Sequence, residues 1–381
     1  MISFFIFFTI FLIAVEIYSY HNGLKKITYD VQPSQTLLEP DEKFKVNTIV
    51  ENHKLWFLPY LHLIEAFPQN IQIPGEEKNI TEEGITYSLS SQLSTNSFAK
   101  MSSAKLNSSF YMMPYQRLTR TLEASLPNRG RYLFSGCYLN GGDFLGLQDN
   151  SKEFTTYQEV VVMPRASNSP EFESLLGGLI GDISIRRFIF EDPMLTIGFS
   201  DYTGREPMRD ISWTQSARLG KMMVKNYDHT TDICSSVILN VQSALNKQEE
   251  DVLVEQCFSL TRSLCEQLEK KHIKYSFVTN AIPMGMLDLV SSVEQGLGNV
   301  HFYTIMEILG RASLSACENF SVTLRRACRT CEQGQYFIVI SPNENEIWKE
   351  AYDKLVDISG NKTFLITPEV LKKQESGEAI A

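Results

Sequence analysis

The sequence has little of what several function classes require. It has no excess of positive charge: 35 Lys and Arg stand against 45 Asp and Glu, for a net charge of −10. That balance excludes nucleic acid as the main partner, because phosphate binding wants a basic surface. It has no low-complexity tract and no internal repeat, which excludes a collagen-like or disordered chain. Histidine is scarce, and none of the six residues (His21, His53, His62, His229, His272 and His301) sits in a catalytic or metal-binding signature. The seven cysteines are odd in number and irregularly spaced, which is no disulfide framework and fits reduced thiols in a cytosolic body. Gly177-Gly178-Leu-Ile-Gly181-Asp182 has glycines but lacks the Lys and hydroxyl of a P-loop. No basic residue precedes the first apolar run and no A-x-A pattern follows it, as a cleaved signal peptide would require.

What is present is 381 residues, 43% of them hydrophobic, enough for two domains with buried cores. The apolar residues are concentrated at the start. Sixteen of the first 20 are hydrophobic and only Glu16 is charged. That run predicts a transmembrane helix over 1–20, with Tyr18 and Tyr20 as an aromatic rim. Lys25 and Lys26 follow it. By the positive-inside rule they place the body in the cytoplasm of a single-pass cell-membrane protein.

Periodicity divides the remainder. Residues 25–165 read as an antiparallel β-sandwich. Ile27, Tyr29 and Val31 alternate with polar neighbours, as do Phe44, Val46, Thr48 and Val50, then Ile85, Tyr87 and Leu89. Turns are expected at Glu39-Pro40-Asp41, Pro74-Gly75, Asn128-Arg129-Gly130 and Asn140-Gly141-Gly142-Asp143. Val160 to Met163 is the expected last strand. Residues 166–195 form a linker and lead-in segment that includes Ile183 to Phe190. Residues 196–375 alternate strands with helices, which predicts a doubly wound α/β domain with a parallel sheet covered on both faces. Residues 21–165 carry a net charge of −1 and residues 166–381 carry −8, Glu16 supplying the remainder.

The densest constellation is Tyr202-Thr-Gly-Arg205-Glu206-Pro-Met-Arg209-Asp210-Ile211-Ser-Trp213-Thr-Gln-Ser216-Ala217-Arg218. Guanidinium groups pair with carboxylates and stack on indole. The window therefore reads either as an internal ion-pair clamp, to which Arg209, Trp213 and Arg218 incline, or as a docking surface, since Arg and Trp dominate interface hot spots. Gly296-Leu297-Gly298-Asn299-Val300-His301 is half of a dinucleotide fingerprint and is expected to be a loop outside any strand-to-helix turn. Cys328-Arg-Thr-Cys331 lacks the context of a redox pair or a zinc site, and Cys137 lacks a local base.

The signature window resembles that of the bacterial domain-of-unknown-function-58 family, in which a Tyr precedes R-x-I-x-W-x-x-S-A-R and a strand ending in V-K. Tyr202, Arg209, Ile211, Trp213, Ser216, Ala217, Arg218 and Val224-Lys225 match that spacing. Upstream, Asn128-Arg-Gly-Arg-Tyr132 and Gly142-Asp143-Phe-Leu-Gly-Leu147 are similar to a second family segment. Arg205-Glu206 replaces the family's Gly-Asp, Ser200 replaces an Arg, and one apolar run stands where many relatives have two. The resemblance implies a membrane-anchored β-sandwich followed by a von Willebrand factor A-like domain, working with a MoxR-type AAA ATPase. A metal-binding domain of that kind carries D-x-S-x-S after its first strand. Asn240, Gln242 and Ala244 occupy those positions, a degenerate site for a hard cation.

The expected role is a membrane-anchored scaffold or adaptor that binds protein partners through Tyr202, Arg209, Asp210, Trp213, Ser216 and Arg218 and through the loop after Val241. No cofactor or catalysis of its own is expected. Two alternatives are a thiol-dependent enzyme using Cys137 or Cys328/Cys331, and a metal-dependent adhesion module. The topology is testable: protease added to intact cells is expected to spare the body, and its digestion from outside would refute the orientation set by Lys25 and Lys26.

Overall fold

The computed structural model describes residues 2–74, 80–83, 103–142, 149–167, 172, 174, 176–178, 181, 192–204, 206–228, 234–242, 247–285, 291–329, 335–360 and 362–368. The chain divides into two compact units, Met1–Arg165 and Ala166–Ala381.

In the first unit, helix α1 (Ile2–Asn22) leads into β1 (Ile27–Pro33), β2 (Leu37–Leu38), β3 (Phe44–Asn52), β4 (Leu58–Pro68), β5 (Ile80–Glu83), β6 (Ser103–Met112), β7 (Arg117–Ala124), β8 (Gly130–Gly142) and β9 (Asp149–Val162). The segment expected as a membrane helix is thus helical. Phe4, Ile6, Phe7, Phe8, Ile10, Phe11, Ile13 and Ile17 stand exposed along it. Among the described residues, which leave out the side chains at positions 1, 2, 3 and 5, no helix is long and apolar enough to cross a membrane.

The strands form two sheets, one in the order β1-β3-β7 and one in the order β2-β9-β8-β4-β6-β5. Alternate residues of each point into one shared core: Val31, Val46 and Val50 from the first sheet, Leu61, Leu63, Leu106, Phe134 and Leu139 from the second. Pairing is antiparallel except for the two-residue β2, which runs parallel to β9. Asn140-Gly141-Gly142 is not the turn expected from its composition. β8 continues through Gly142, and Leu24 occupies the space over Gly141, where an added Cβ would lie 2.6 Å from Leu24 Cδ2. Ile85, Tyr87, Leu89, Gly75 and residues 143–147 lie outside the described residues.

In the second unit, β10 (Asp192–Asp201) is followed by a 3-10 turn (Met208–Asp210), α2 (Trp213–Leu219) and β11 (Met223–Asp228). Then come β12 (Cys234–Leu239), α3 (Lys247–Lys270), β13 (Lys274–Thr279), β14 (Ala281–Pro283), β15 (Ser291–Gly296), α4 (Asn299–Arg311), β16 (Ala312–Ala316), α5 (Phe320–Arg329), β17 (Tyr336–Ile340), α6 (Glu346–Ser359) and β18 (Thr363–Ile366). A five-stranded sheet has the order β15-β13-β12-β17-β18. Four strands are parallel, and β15 is an antiparallel edge that the sequence pattern did not reveal. Every residue of β12 from Ser235 to Leu239 is buried, because the sheet is covered on both faces. Phe320, Leu324, Trp348, Ala351 and Leu355 of α5 and α6 pack with Ile238, Phe337 and Val339. The spacing of Leu253, Cys257, Leu260, Leu264 and Leu268 predicts the buried stripe of α3; the last four are buried, whereas Leu253 is half-buried and its neighbour Val254 is buried instead. Ile183 to Phe190 lie outside the described residues.

One position tests the sandwich directly. Gly136 interrupts the β8–β9 register with φ +125°, and an added Cβ would lie 2.0 Å from the Phe154 carbonyl oxygen. Gly136→Ala is expected to lower the urea unfolding free energy of this unit by about 3 kcal/mol or more. An unchanged midpoint would contradict the bulge.

Candidate functional site

The signature residues sit on a two-stranded element of their own. β10 and β11 pair antiparallel, and the chain between them folds back as the 3-10 turn and α2. Local hydrogen bonds tie the connection to itself and to β11. Thr203 donates its backbone N–H and its hydroxyl to the Glu206 carboxylate at 3.0 and 2.6 Å. Tyr202 N donates to the Met222 carbonyl at 3.0 Å. Ser216 is the central fastener. Its hydroxyl donates to the Ser212 carbonyl at 2.8 Å and accepts from Met223 N at 2.8 Å, tying α2 to β11. Ile211 is buried and bridges to Val224. Gly220 ends α2 in the left-handed conformation.

The same scaffold turns the large side chains outward. Trp213 is 62% exposed, with Met208, Leu219, Met222 and Phe199 also exposed. Arg209 is 85% exposed and lies 3.6 Å from the neighbouring Asp210 carboxylate. Arg218 is exposed as well. The clamp reading of Arg209, Trp213 and Arg218 is therefore corrected: these three face outward, and Ser216 does the fastening. Arg205 lies outside the described residues.

The carboxyl ends of the parallel strands hold a second constellation. The strand order reverses at β12, with β13 on one side and β17 on the other. This is where open α/β sheets bind ligands. Asn240 lies there, fully buried. Its Nδ2 donates to the Gln242 carbonyl and to Ser341 Oγ, both at 3.0 Å. Its Oδ1 accepts from Gln242 N at 2.8 Å and Asn280 Nδ2 at 2.9 Å. Asn280 Oδ1 accepts from Val241 N at 2.9 Å, and Gln242 Oε1 accepts from Phe320 N at 2.9 Å. The amide of Asn240 thus has both its donors and both its acceptor directions engaged. A cation would have to break these bonds to reach Oδ1. Ala244 lies outside the described residues. Asn280 and Ser341 were missed by the sequence reading; each is the first polar residue past an apolar strand, the only signal they carry.

The Gly296–His301 segment is also corrected. It does join a strand to a helix: β15 ends at Gly296 and Gly298 caps α4 with φ +104°. That helix start already holds an anion from within the chain. The Glu269 carboxylate accepts from Gly298 N at 3.0 Å and from the Tyr275 hydroxyl at 3.1 Å. His301 is held by the Tyr275 carbonyl at 2.8 Å.

Cys137 is buried on β8, and burial pushes its thiol well above the usual range, away from the thiolate that nucleophilic chemistry needs. Cys328 lies on α5, and Cys331 is outside the described residues. A further cluster escaped the sequence reading. Glu65, fully buried in the sandwich core, accepts from Thr48 Oγ1 at 2.8 Å and the Tyr29 hydroxyl at 3.1 Å, and pairs with Arg120. Burial raises the Tyr29 pKa and lowers that of Arg120. A lone carboxylate within the apolar strand His62-Leu-Ile-Glu65-Ala-Phe67 was its only sequence trace.

No protein-family model matches the chain, and no curated protein does. Among solved structures, a CARDB domain from Pyrococcus furiosus, in complex with di-metal ions, is 12% identical over 36% of this chain and 86% of its own, at a TM-score of 0.20. A non-cellulosomal cohesin from Archaeoglobus fulgidus is 12% identical over 36% of this chain and 91% of its own, at 0.21. The sporulation control protein Spo0M from Bacillus subtilis is 9% identical over 47% of this chain and 58% of its own, at 0.18. Likeness at these scores carries no conclusion for this chain.

The amide network makes a prediction. Asn240→Asp replaces two donors by acceptors that face the Gln242 carbonyl and Ser341, so it is expected to cost about 2–4 kcal/mol in urea unfolding. Millimolar magnesium is expected to restore none of that loss. Recovery with magnesium would show a site able to take a cation.

Proposed function

We propose that the chain is a membrane-anchored adaptor that binds a protein partner through the signature hairpin. The observation that carries the reading is the outward display of Trp213, Met208, Arg209 and Arg218 on a connection that Ser216 fixes in place. Trp and Arg anchors presented on a rigid element are the usual makings of an interaction hot spot. A MoxR-type AAA ATPase is the partner the family resemblance points to. No catalysis is assigned to the chain: burial of Cys137 and the closed amide of Asn240 weigh against the thiol-enzyme and metal-adhesion alternatives.

The membrane anchor is α1. Its exposed phenylalanine and isoleucine side chains would stand in water at a cost of about 25 cal/mol per Å² unless lipid covers them. Lys25 and Lys26 favour a cytoplasmic body. A von Willebrand factor A-like identity for the second unit is supported by the parallel sheet, its helices on both faces and the reversal of strand order at β12.

The test is gentle extraction of the native protein followed by identification of what copurifies. A MoxR-type ATPase is expected, and Arg209→Glu with Trp213→Ala is expected to reduce its recovery about tenfold or more with the melting temperature unchanged. Recovery of no ATPase, with or without nucleotide, would overturn the proposal.

A further inference from the structure

The end of the sandwich that receives α1 is closed by two connections. The 53–57 and 113–116 connections meet there beside the last turn of the helix. They are bound to one another: Asn52 N donates to the Gln116 carbonyl at 2.9 Å, Tyr115 N to the Lys54 carbonyl at 3.2 Å, and Asn52 Nδ2 to the Trp56 and Met113 carbonyls at 3.1 and 3.0 Å. They are also bound to the helix. Trp56 Nε1 donates to Ser19 Oγ at 3.3 Å, and the Trp56 ring meets Tyr18 edge-on at 5.1 Å. Lys54 Nζ donates to the Gly23 carbonyl and to that of Lys25, capping the helix exit. Asn150 Nδ2, at the start of β9, donates to the Tyr20 carbonyl at 3.2 Å. The helix therefore leaves the sandwich at a fixed place, with the two connections level with residues 18–25.

These connections carry side chains unlike those of an ordinary hairpin tip. Leu55 is 78% exposed and Tyr115 68% exposed, with Tyr111, Met113 and Tyr60 also exposed beside them. Tyr115 has φ +54°, a left-handed conformation in which a bulky residue is costly and Gly or Asn would be the easy choice. Lys25 and Lys26 are exposed at the same level. Tyrosines and a leucine interleaved with lysines suit the headgroup layer of a bilayer, where amphipathic rings partition and anionic lipid attracts each nearby lysine by about 1 kcal/mol.

We infer that this end of the sandwich is itself a lipid-contact surface, with Leu55 and Tyr115 seated among the headgroups of an anionic leaflet. The inference rests on α1 being a membrane anchor and adds a second, peripheral contact that fixes the orientation of the sandwich on the membrane. β3 is nine residues long, so at 3.3 Å per residue its far end, next to Lys43, lies about 26 Å along the strand from the 53–57 connection.

The experiment uses the full chain in vesicles of phosphatidylcholine with phosphatidylglycerol, some lipids carrying a nitroxide on the headgroup or acyl chain. A fluorescent amino acid replaces, in separate preparations, Ile10, Tyr115, Leu55 or Lys43. Acyl-chain nitroxide is expected to quench position 10. Headgroup nitroxide is expected to quench positions 55 and 115 several-fold more than position 43. Quenching at 10 with 55 and 115 at the level of 43 would overturn the lipid-contact surface and leave the anchor standing. No quenching at 10 would overturn both.

Discussion

A strand covered on both faces leaves no water for the polar groups at its end, and β12 is such a strand. The chain meets that constraint with one side-chain amide. Asn240 binds the start of its own loop through Gln242, the end of β13 through Asn280 and the end of β17 through Ser341. Gln242 carries the linkage on to the first turn of α5. Three strand ends and a helix start are thus fixed by groups that leave little for a ligand. Glu269 does the same at the start of α4, filling with an internal carboxylate the place an external anion would take. The polar groups at these strand ends are spent on one another.

The signature connection follows the same polar accounting. Ser216 satisfies a backbone donor and a backbone acceptor at once, so the signature connection needs no support from its large side chains. Trp213, Met208 and Arg209 are then available to another molecule. α1 shows the apolar version of this logic, with Ile6, Phe7, Phe8, Ile10, Phe11, Ile13 and Ile17 exposed along it. The sandwich shows the opposite, holding Glu65 inside only because Thr48, Tyr29 and Arg120 surround it.

Most of the architecture was legible from periodicity. Strands with alternating burial, such as Ile27–Pro33 and Phe44–Asn52, and the four-three stepping of α3 are local signals set by which face is wet. What was not legible depends on partners distant in sequence. Gly141 reads as a turn residue until Leu24, far upstream, is found lying on it. β15 is short and polar, and only its pairing with β13 makes it a strand. The signature residues share one connection, but the direction each side chain faces depends on a serine hydroxyl bond to β11 that no spacing rule supplies. Asn280 and Ser341 matter only because parallel pairing brings three strand ends together.

The central claim is that Trp213 faces a protein partner. Its most direct test is a photocrosslinking amino acid in place of Trp213 in the full chain within living host cells. An adduct with a MoxR-type AAA ATPase is expected, strongly reduced by Arg209→Glu. Irradiation that yields no more protein adduct at 213 than at the exposed position 43 would contradict it.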